Sequence, residues 1–306
     1  MVEGTWLYVL FFSIYTFHMP CFVFISGYFS KKKNGTQLIN LVITYVIFQF
    51  LFTIFAYCIG RTEIFNPNLA SPFYTLWYLM ALILWKLITP YFVKLKQPLL
   101  VSFLLAICVG FDRSFEFVFT LSRLAVLYPF FLAGYCAQGK QVARIQNVNK
   151  IVSISMFVLL IGVLYIASPM IESNFFFHGR SYYKVDKPLW YAAIYRCVVL
   201  ALGAMVSICF LSLVPQKKVW FSDMGTRTMV PYILHGFFTW GISKSWLQGV
   251  VYTYPEKIIF LLLYIVLIFI LSSKPVSKLL RPLIRPDAIR LWLKKVFVKP
   301  EGSHAG

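Results

Sequence analysis

The amino-acid sequence predicts an all-α, polytopic integral membrane protein, a helix bundle with about nine transmembrane helices. The chain of 306 residues is 60% hydrophobic and only 13% charged, whereas about a quarter of the residues in a soluble domain are charged. Its mean hydropathy is +0.76. Apolar runs recur along almost the whole chain, so no stretch is left for a separate soluble domain. We predict one transmembrane domain over residues 1–275 and a basic amphipathic cytoplasmic tail over residues 276–306.

The predicted spans are the apolar runs that are bounded by charged residues or by clusters of Pro and Gly. They cover approximately residues 5–29, 37–60, 73–93, 99–111, 124–137, 151–168, 190–214, 229–247 and 258–273. The fourth and fifth runs are shorter than the roughly 20 residues that a free-standing transmembrane helix needs. We therefore expect these two helices to be tilted, extended into their flanking residues or partly re-entrant.

The surplus of basic residues predicts the orientation of the chain. The sequence has 29 Lys and Arg residues against 10 Asp and Glu residues, which gives a net charge of +19. The basic residues are concentrated in alternate short loops and in the tail, so the positive-inside rule places the C-terminus in the cytoplasm and the N-terminus outside. We accordingly expect a multi-pass protein of the cell membrane, whose partner is the lipid bilayer and which has no nucleic-acid partner.

Each end of the chain supports a further expectation. An outside N-terminus is unusual when so few residues precede the first span, and one more helix upstream would restore a cytoplasmic N-terminus. Our hypothesis is that the chain is shortened at its N-terminus relative to its relatives. At the other end, residues 287–299 place apolar side chains at helical spacing between basic ones, which predicts a helix lying on the inner leaflet.

Two histidines within spans are candidate functional residues, because ionisable groups in a membrane are costly unless they are paired or face water. His18 lies near the middle of the first span, where Pro20 removes the amide that would bond to the carbonyl of Thr16. His235 lies about two turns into the eighth span and precedes the small residue Gly236. Each imidazole is interpreted either as a general base in a cavity or as a neutral histidine bonded to a neighbouring helix.

Two arginines at the predicted outer ends of spans are candidate binding residues. Arg123, preceded by Ser122, begins the fifth span, and Arg196 lies two turns into the seventh. Guanidinium groups at these positions suit an anionic group of a substrate or of an intermediate. Ion pairs with acidic residues of the outer loops and snorkelling to the membrane surface are the alternative interpretations.

The outer loop over residues 169–189 is rich in aromatic side chains and contains Arg180 and Tyr182. Aromatic faces with polar tips stack on sugar rings, and arginine bonds to sugar hydroxyls, so we predict that Arg180 and Tyr182 bind a saccharide. The same composition is typical of an aromatic belt at a membrane interface, and this alternative stays open.

Basic residues on the predicted cytoplasmic side are candidates for holding the phosphates of a soluble donor. These are Lys31 and Lys32 after the first span and Arg227 before the eighth. The positive-inside rule accounts for the same residues without a ligand. No Gly-rich phosphate loop, zinc motif or Ser-His-Asp pattern occurs, and the six cysteines lie within or at the ends of apolar runs. We therefore expect no metal.

Several strings together resemble the membrane acyltransferase-3 family, in particular its branch related to fucose 4-O-acetylases. Residues 17–29, FHMPCFVFISGYF, resemble the segment F-H-M-P-x-F-x-F-I-S-G-Y. Residues 76–82, LWYLMAL, resemble the helix L-W-F-L-x-A-L. Residues 121–123, LSR, with residues 129–135, PFFLAGY, resemble the pair L-S-R and P-F-F-L-x-G-Y. Residues 225–236, GTRTMVPYILHG, are similar to G-x-x-T-L-x-x-Y-L-L-H-G.

The resemblance implies a bundle of about ten helices that transfers an acyl group, usually acetyl from acetyl-CoA, to a hydroxyl. The acceptor is a surface polysaccharide or its lipid-linked precursor. In the family the first helix carries a basic residue about eleven positions before a histidine that is regarded as catalytic. No histidine of this sequence has that partner, so the helix that is missing from the predicted topology would be the one that carries it.

Roles follow for the residues that match the motifs. His235 and Arg123 are predicted to be catalytic, as base and as cation, and His18 matches the first motif with an unassigned role. Ser122 and Trp77, which also lie in matched strings, are predicted to contact substrate. By their positions and not by a motif, Arg196, Arg180 and Tyr182 are predicted to contact substrate as well. Lys31, Lys32 and Arg227, on the predicted cytoplasmic side, are predicted to bind acetyl-CoA as co-substrate.

Two other functions are compatible with the same residues. A transporter or flippase for a glycan intermediate would also use mid-span histidines and outer-loop aromatic side chains. A non-catalytic remnant, shortened at its N-terminus, would fold and bind partners without turnover.

Overall fold

The part of the chain that the structure, a computed structural model, describes is 81% helical. That part comprises residues 6–31, 35–73, 75–112, 121–167, 179, 181–184, 188–244, 254–287 and 289–291, and it contains no strand. Its α-helices are α1 (Trp6–Phe29), α2 (Gly35–Cys58), α3 (Trp77–Phe92), α4 (Pro98–Cys108), α5 (Leu121–Cys136), α6 (Gly139–Gln146), α7 (Lys150–Ala167), α8 (Leu189–Leu213), α9 (Met229–Lys244), α10 (Tyr254–Leu271) and α11 (Lys274–Ile284). Short 3-10 helices cover Val109–Phe111, Tyr182–Lys184 and Ser222–Arg227.

The predicted class, an all-α polytopic membrane bundle, is confirmed. Each predicted apolar run contains one α-helix, and α6 and α11 lie between or after these runs. By length and composition, the described residues include 3 helices able to cross a membrane alone: Val9–Phe29, Gly35–Cys58 and Leu189–Leu213. The bent pairs α6–α7 and α10–α11 raise this number to at most 5. The remaining apolar helices α3, α4 and α5 are shorter.

The fourth and fifth apolar helices are short, as their sequence indicates. Helix α4 has 11 residues and continues as a 3-10 helix to Phe111. Helix α5 has 16 residues and begins at Leu121, ahead of the predicted start at residue 124. The earlier start places Ser122 and Arg123 in the first turn of α5.

The chain divides into two compact units. The first unit comprises residues 1–33 and 84–218, and the second comprises residues 34–83 and 219–306. Helix α1 lies at the centre of the first unit, where it packs against α5, α7 and α8. Side chains from α1, α7 and α8 form one of its apolar clusters: Val9, Phe12, Leu160, Leu164 and Val206.

Helices α1 and α5 approach each other closely at a pair of glycines. A Cβ atom on Gly27 would lie on the carbonyl oxygen of Phe131 and 3.0 Å from the amide nitrogen of Tyr135. A Cβ atom on Gly134 would lie on the carbonyl oxygen of Phe24. Small residues of this kind let two transmembrane backbones touch, which increases the dispersion attraction between them. The contact between α1 and α5 therefore depends on both glycines.

In the second unit, a buried glutamine holds the connection between α2 and α3. The Nε2 atom of Gln49 donates hydrogen bonds to the carbonyl oxygens of Asn68, at 2.7 Å, and Ser71, at 2.9 Å. Its Oε1 atom accepts a hydrogen bond from the amide of Phe73, at 3.1 Å. One turn earlier, the hydroxyl of Tyr45 donates to the carbonyl of Leu69, at 2.6 Å. These bonds satisfy the polar atoms of the buried Gln49 and Tyr45 side chains.

The amphipathic helix α11 packs on the beginning of α2. The hydroxyl of Thr44 lies 3.1 Å from the carbonyl oxygen of Ile284 and 3.3 Å from that of Leu283, and can donate to either. The Nδ2 group of Asn40 donates to the carboxylate of Asp287, at 3.3 Å. Most of the predicted helix over residues 287–299 lies outside the described residues, and the boundary of the tail at residue 276 stays a prediction.

Replacing Gly27 by Ala is expected to destabilise the protein, because the new methyl group would meet the backbone of α5. The expected loss of stability is about 2 kcal/mol, typical of overpacking. The midpoint of thermal unfolding in detergent measures it. Gly162→Ala in α7 is the control, since a Cβ atom there meets nothing within 4 Å and alanine favours helix. Equal midpoints for Gly27→Ala and the wild type would contradict the packing argument.

Candidate functional site

His18 is fixed within α1 by a hydrogen bond to its own helix. Its Nδ1 atom lies 3.0 Å from the carbonyl oxygen of Ile14. A carbonyl oxygen only accepts, so Nδ1 carries the hydrogen and donates, and Nε2 of the neutral ring keeps its lone pair. The ring of Tyr15 lies edge-on to the imidazole, with 4.8 Å between centroids. His18 thus presents Nε2 as an acceptor on a half-buried ring.

The break that Pro20 makes in α1 is covered by α8. Proline has no amide hydrogen, so the carbonyl of Thr16 lacks its helical partner. A Cβ atom on Gly203 would lie 3.0 Å from that carbonyl oxygen and 3.2 Å from Cγ of Pro20. The hydroxyl of Ser207, one turn further along α8, lies 2.6 Å from the carbonyl oxygen of Gly203 in its own helix and 3.3 Å from that of Phe17, and can donate its one hydrogen to either. The polar break next to His18 is therefore lined by the backbone of α8.

His235 has the same local arrangement in α9. Its Nδ1 atom lies 3.0 Å from the carbonyl oxygen of Pro231 and donates to it, which leaves the lone pair of Nε2 available in the neutral ring. The ring is half-buried. The carbonyl of His235 itself accepts a hydrogen bond from the hydroxyl of Thr239, at 2.8 Å. The turns before and after His235 are therefore each held by a local side-chain bond on the same face of α9.

Thr75 positions the turn of α9 that carries His235. The hydroxyl of Tyr232 donates to the carbonyl of Thr75. A Cβ atom on Gly236 would lie 2.8 Å from Oγ1 of Thr75 and 2.9 Å from the ring of Phe52. The Oγ1 atom of Thr75 is buried and has no hydrogen-bond partner among the described residues. Tyr232 and Gly236, one turn apart, thus dock α9 on this residue.

Arg123 lies in the first turn of α5, covered by a glycine of the aromatic-rich loop over residues 169–189. Gly179 has a φ of +102°, and a Cβ atom there would lie 2.7 Å from the amide nitrogen of Arg123 and 2.9 Å from its Cα. Only glycine combines this conformation with such a close approach. The neighbouring Ser122 has a buried hydroxyl without a partner in the part of the chain that the structure describes.

Arg196 and Tyr182 contact each other at the end of α4. The guanidinium lies over the ring of Tyr182, 4.4 Å from its centroid, and donates to the carbonyl of Ala106, at 3.3 Å. The hydroxyl of Tyr182 donates to the carbonyl of Ile107, at 2.8 Å. A Cβ atom on Gly110 would collide with the Tyr182 ring. Burial raises the pKa of Tyr182 to about 12, although Arg196 opposes the shift, so the phenol stays protonated at neutral pH.

The predicted donor-binding cations make contacts with helix ends. Lys31 donates to the carbonyl of Ala137, after the end of α5, and lies over the ring of Tyr28, 4.1 Å from its centroid. The Nε of Arg227 donates to the carbonyl of Ser272 after α10, at 2.8 Å. Cations stabilise the carbonyl end of a helix. These contacts give both residues a structural role, and their predicted role towards acetyl-CoA stays a prediction.

Several predicted site residues fall in each unit. The first unit contains His18, Lys31, Ser122, Arg123, Tyr182 and Arg196, and the second contains Trp77, Arg227 and His235. Trp77 begins α3, with its ring edge-on to Tyr78 at 6.0 Å. Lys32 and Arg180 lie outside the described residues. Among the residues that are described, no group of three or more His, Cys, Asp or Glu side chains suits a metal ion.

A comparison with protein families decides the class of this chain. The family model that matches residues 2–273 is the acyltransferase domain of the acyltransferase 3 family. The chain belongs to this family. It is therefore a membrane acyltransferase by family, as the motifs indicate. No curated protein and no solved structure is significantly similar to the chain.

Two contacts next to predicted site residues are not predictable from the sequence. Gly179 lies within the aromatic-rich loop over residues 169–189, but no neighbouring residue in the sequence indicates that it covers Arg123. Thr75 directly precedes the LWYL motif, and its contact with Gly236 joins positions far apart in the chain. The only sequence signals were a glycine between His178 and Arg180 and a small residue after His235.

Gly179→Ala is expected to displace Arg123, because alanine disfavours a φ of +102° and its methyl group would meet the Arg123 backbone. If Arg123 contributes to acyl transfer, displacing its backbone lowers the rate of acyl transfer by about tenfold or more. Acyl incorporation by membranes that contain the variant measures the effect. Gly139→Ala serves as the control, since a Cβ atom there meets nothing within 4 Å. Equal rates for both variants would show that the glycine contact is dispensable.

Proposed function

We propose that this chain is an integral membrane O-acetyltransferase. It transfers an acetyl group from acetyl-CoA to a hydroxyl of a cell-surface polysaccharide or of its lipid-linked precursor. Membership of the acyltransferase 3 family supports the class of reaction. The strings that resemble the fucose 4-O-acetylase branch support a saccharide as acceptor and acetyl as the acyl group.

The arrangement of His235 is the observation that carries the proposal. The imidazole lies in an apolar helix, within a string that resembles a motif of the fucose 4-O-acetylase branch, and its Nδ1 hydrogen is bonded to the carbonyl of Pro231. Nε2 is then free to take the proton of an acceptor hydroxyl as the hydroxyl oxygen attacks the thioester carbonyl. When the tetrahedral intermediate collapses, the imidazolium returns the proton to the departing thiolate of CoA.

Arg123 is assigned the cationic role on the strength of the L-S-R motif. A tetrahedral oxyanion requires a hydrogen-bond donor or a positive charge, and a fixed charge costs no reorganisation during the reaction. The contact with Gly179 is consistent with a fixed position for the Arg123 backbone. Ser122, beside it, has a buried hydroxyl without a described partner, as expected of a group that binds a ligand.

The remaining assignments follow the predicted topology of a multi-pass protein in the cell membrane, with a cytoplasmic C-terminus. Lys31, Lys32 and Arg227 would bind the phosphates of acetyl-CoA on the cytoplasmic side. Arg180 and Arg196 would contact the acceptor, and Trp77 stays a predicted acceptor contact by its motif. Tyr182 is only 1% exposed, so it would act by holding Arg196 in place and not by touching the acceptor.

We expect surface polysaccharide from cells that express this chain to carry additional acetyl groups, compared with cells that lack the gene. His235→Asn should lower acetylation by about 100-fold, since it removes a general base while an amide can still donate to Pro231. Arg123→Ala should lower it by a similar factor. Mass spectrometry of the polysaccharide repeat unit measures both effects.

Arg144→Ala is the control for loss of a cation, because Arg144 is exposed on α6. Unchanged acetylation with His235→Asn, at equal protein abundance, would refute the assignment of the base. If the wild-type chain adds no acetyl groups, the proposed acetyltransferase activity is refuted. Translocation of labelled glycan without acetyl-CoA would then favour a transporter, and its absence a non-catalytic remnant.

A further inference from the structure

A basic stripe of four exposed side chains runs along α11 to the residue that follows it. Lys274, Lys278 and Arg281 are spaced by three or four residues, so they project from one side of the helix, and Arg285 directly follows its last residue, Ile284. Among the described residues, no carboxylate forms an ion pair with any of the four. Asp287, which follows α11, pairs with Arg290. The opposite side of α11 is apolar and packs on α2 and α9.

The direction of α11 places these charges at a membrane surface. The axis changes by 67° between Ile258–Leu271 and the segment that begins at Lys274. If α10 crosses the membrane, a helix bent by this angle lies closer to the membrane plane than to its normal. An amphipathic helix in this orientation holds its apolar side at the depth of the acyl chains and its cations at the depth of the phosphates.

An apolar groove with a volume of about 350 Å³ extends from the apolar side of α11. Leu280 and Leu283 of α11 form one end of it, and Leu234 and Phe237 of α9 form one wall. The other wall follows α2 from Phe48 to Cys58. Ten residues of helix rise about 15 Å, which is comparable to most of a phospholipid acyl chain. The groove therefore continues from the phosphate depth towards the membrane interior.

We propose that this part of the second unit is a binding site for one anionic glycerophospholipid. The phosphate is bound by the basic stripe of α11, and one acyl chain lies in the groove between α2, α9 and α11. The charge of the stripe selects an anionic headgroup over a zwitterionic one, because each cation near the surface adds to the attraction. The proposal is independent of the acyl-transfer reaction.

The site adjoins the helix that carries His235. Leu234 and Phe237 are neighbours of His235 in α9, and Phe237 contacts Phe55 of α2, with 5.2 Å between the ring centroids, so the groove runs along the contact between α2 and α9. A bound acyl chain fills it and contributes dispersion contacts to both helices. The lipid is therefore expected to stabilise the second unit as well as to bind to it.

The test uses the purified full-length chain in mild detergent, with phosphatidylglycerol and phosphatidylcholine of equal chain length as probes. Native mass spectrometry counts the lipids that remain bound. The wild type is expected to retain one phosphatidylglycerol in preference to phosphatidylcholine. Lys278→Gln with Arg281→Gln and Arg285→Gln should lower the retention of phosphatidylglycerol by about tenfold or more.

A second variant and a matched control separate the groove from the charges. Leu51→Trp places a bulky ring in the groove and should lower the retention of both lipids while the basic stripe is intact. The control removes three cations from the other unit, by Lys140→Gln, Arg144→Gln and Lys150→Gln, and should leave retention unchanged. All three control side chains are exposed, in or beside the short basic helix α6.

Four results would overturn the proposal. The first is equal retention of both lipids by the wild type, and the second is full retention of phosphatidylglycerol by the α11 variant. The third is an equal loss with the α6 control, which would indicate a general charge effect. The fourth is co-purification of a polyprenyl phosphate in place of the glycerophospholipid. Thermal unfolding of each variant without added lipid checks that the variants fold, so that a loss of retention reports on binding.

Discussion

Inside a bilayer there is no water to bond to a polar group, and this constraint governs most of what the structure shows. Hydroxyls within the helices donate to carbonyls one turn earlier in the same helix. Ser13, Thr16, Ser26 and Thr53 all do so. The two histidines follow the same rule, because each uses Nδ1 to bond to a carbonyl of its own helix. The result is that both imidazoles present the same atom, Nε2, to their surroundings.

The same constraint explains where glycine is required. Polar backbone atoms that the helix itself cannot satisfy must be satisfied or covered by neighbouring groups. Gly203 brings α8 onto the carbonyl that Pro20 leaves without its helical partner. Gly27 and Gly134 serve close packing instead, because they bring the backbones of α1 and α5 into contact. In the connection between α2 and α3, the side chain of Gln49 bonds to three backbone groups, twice as donor and once as acceptor.

Charge is distributed differently from polarity. Lys31 and Arg227 lie at helix ends, where they bond to carbonyls, and Lys274, Lys278 and Arg281 lie on the exposed side of α11. A positive charge at the end of a helix satisfies both the helix dipole and the membrane surface. The proposed lipid site combines these preferences with an apolar groove, and it lies in the unit that carries the proposed catalytic base.

The sequence alone determined the helical class, the approximate limits of the apolar helices, the shortness of α4 and α5, and the family, since hydropathy and motif strings are properties of neighbouring residues. It also singled out His18, His235 and Arg123. Only the tertiary structure decided that Gly179 covers Arg123, that Thr75 docks the turn of His235, and that the Tyr182 ring is buried under Arg196. These contacts join residues far apart in the chain, and an apolar or glycine position is compatible with many partners until the helices pack.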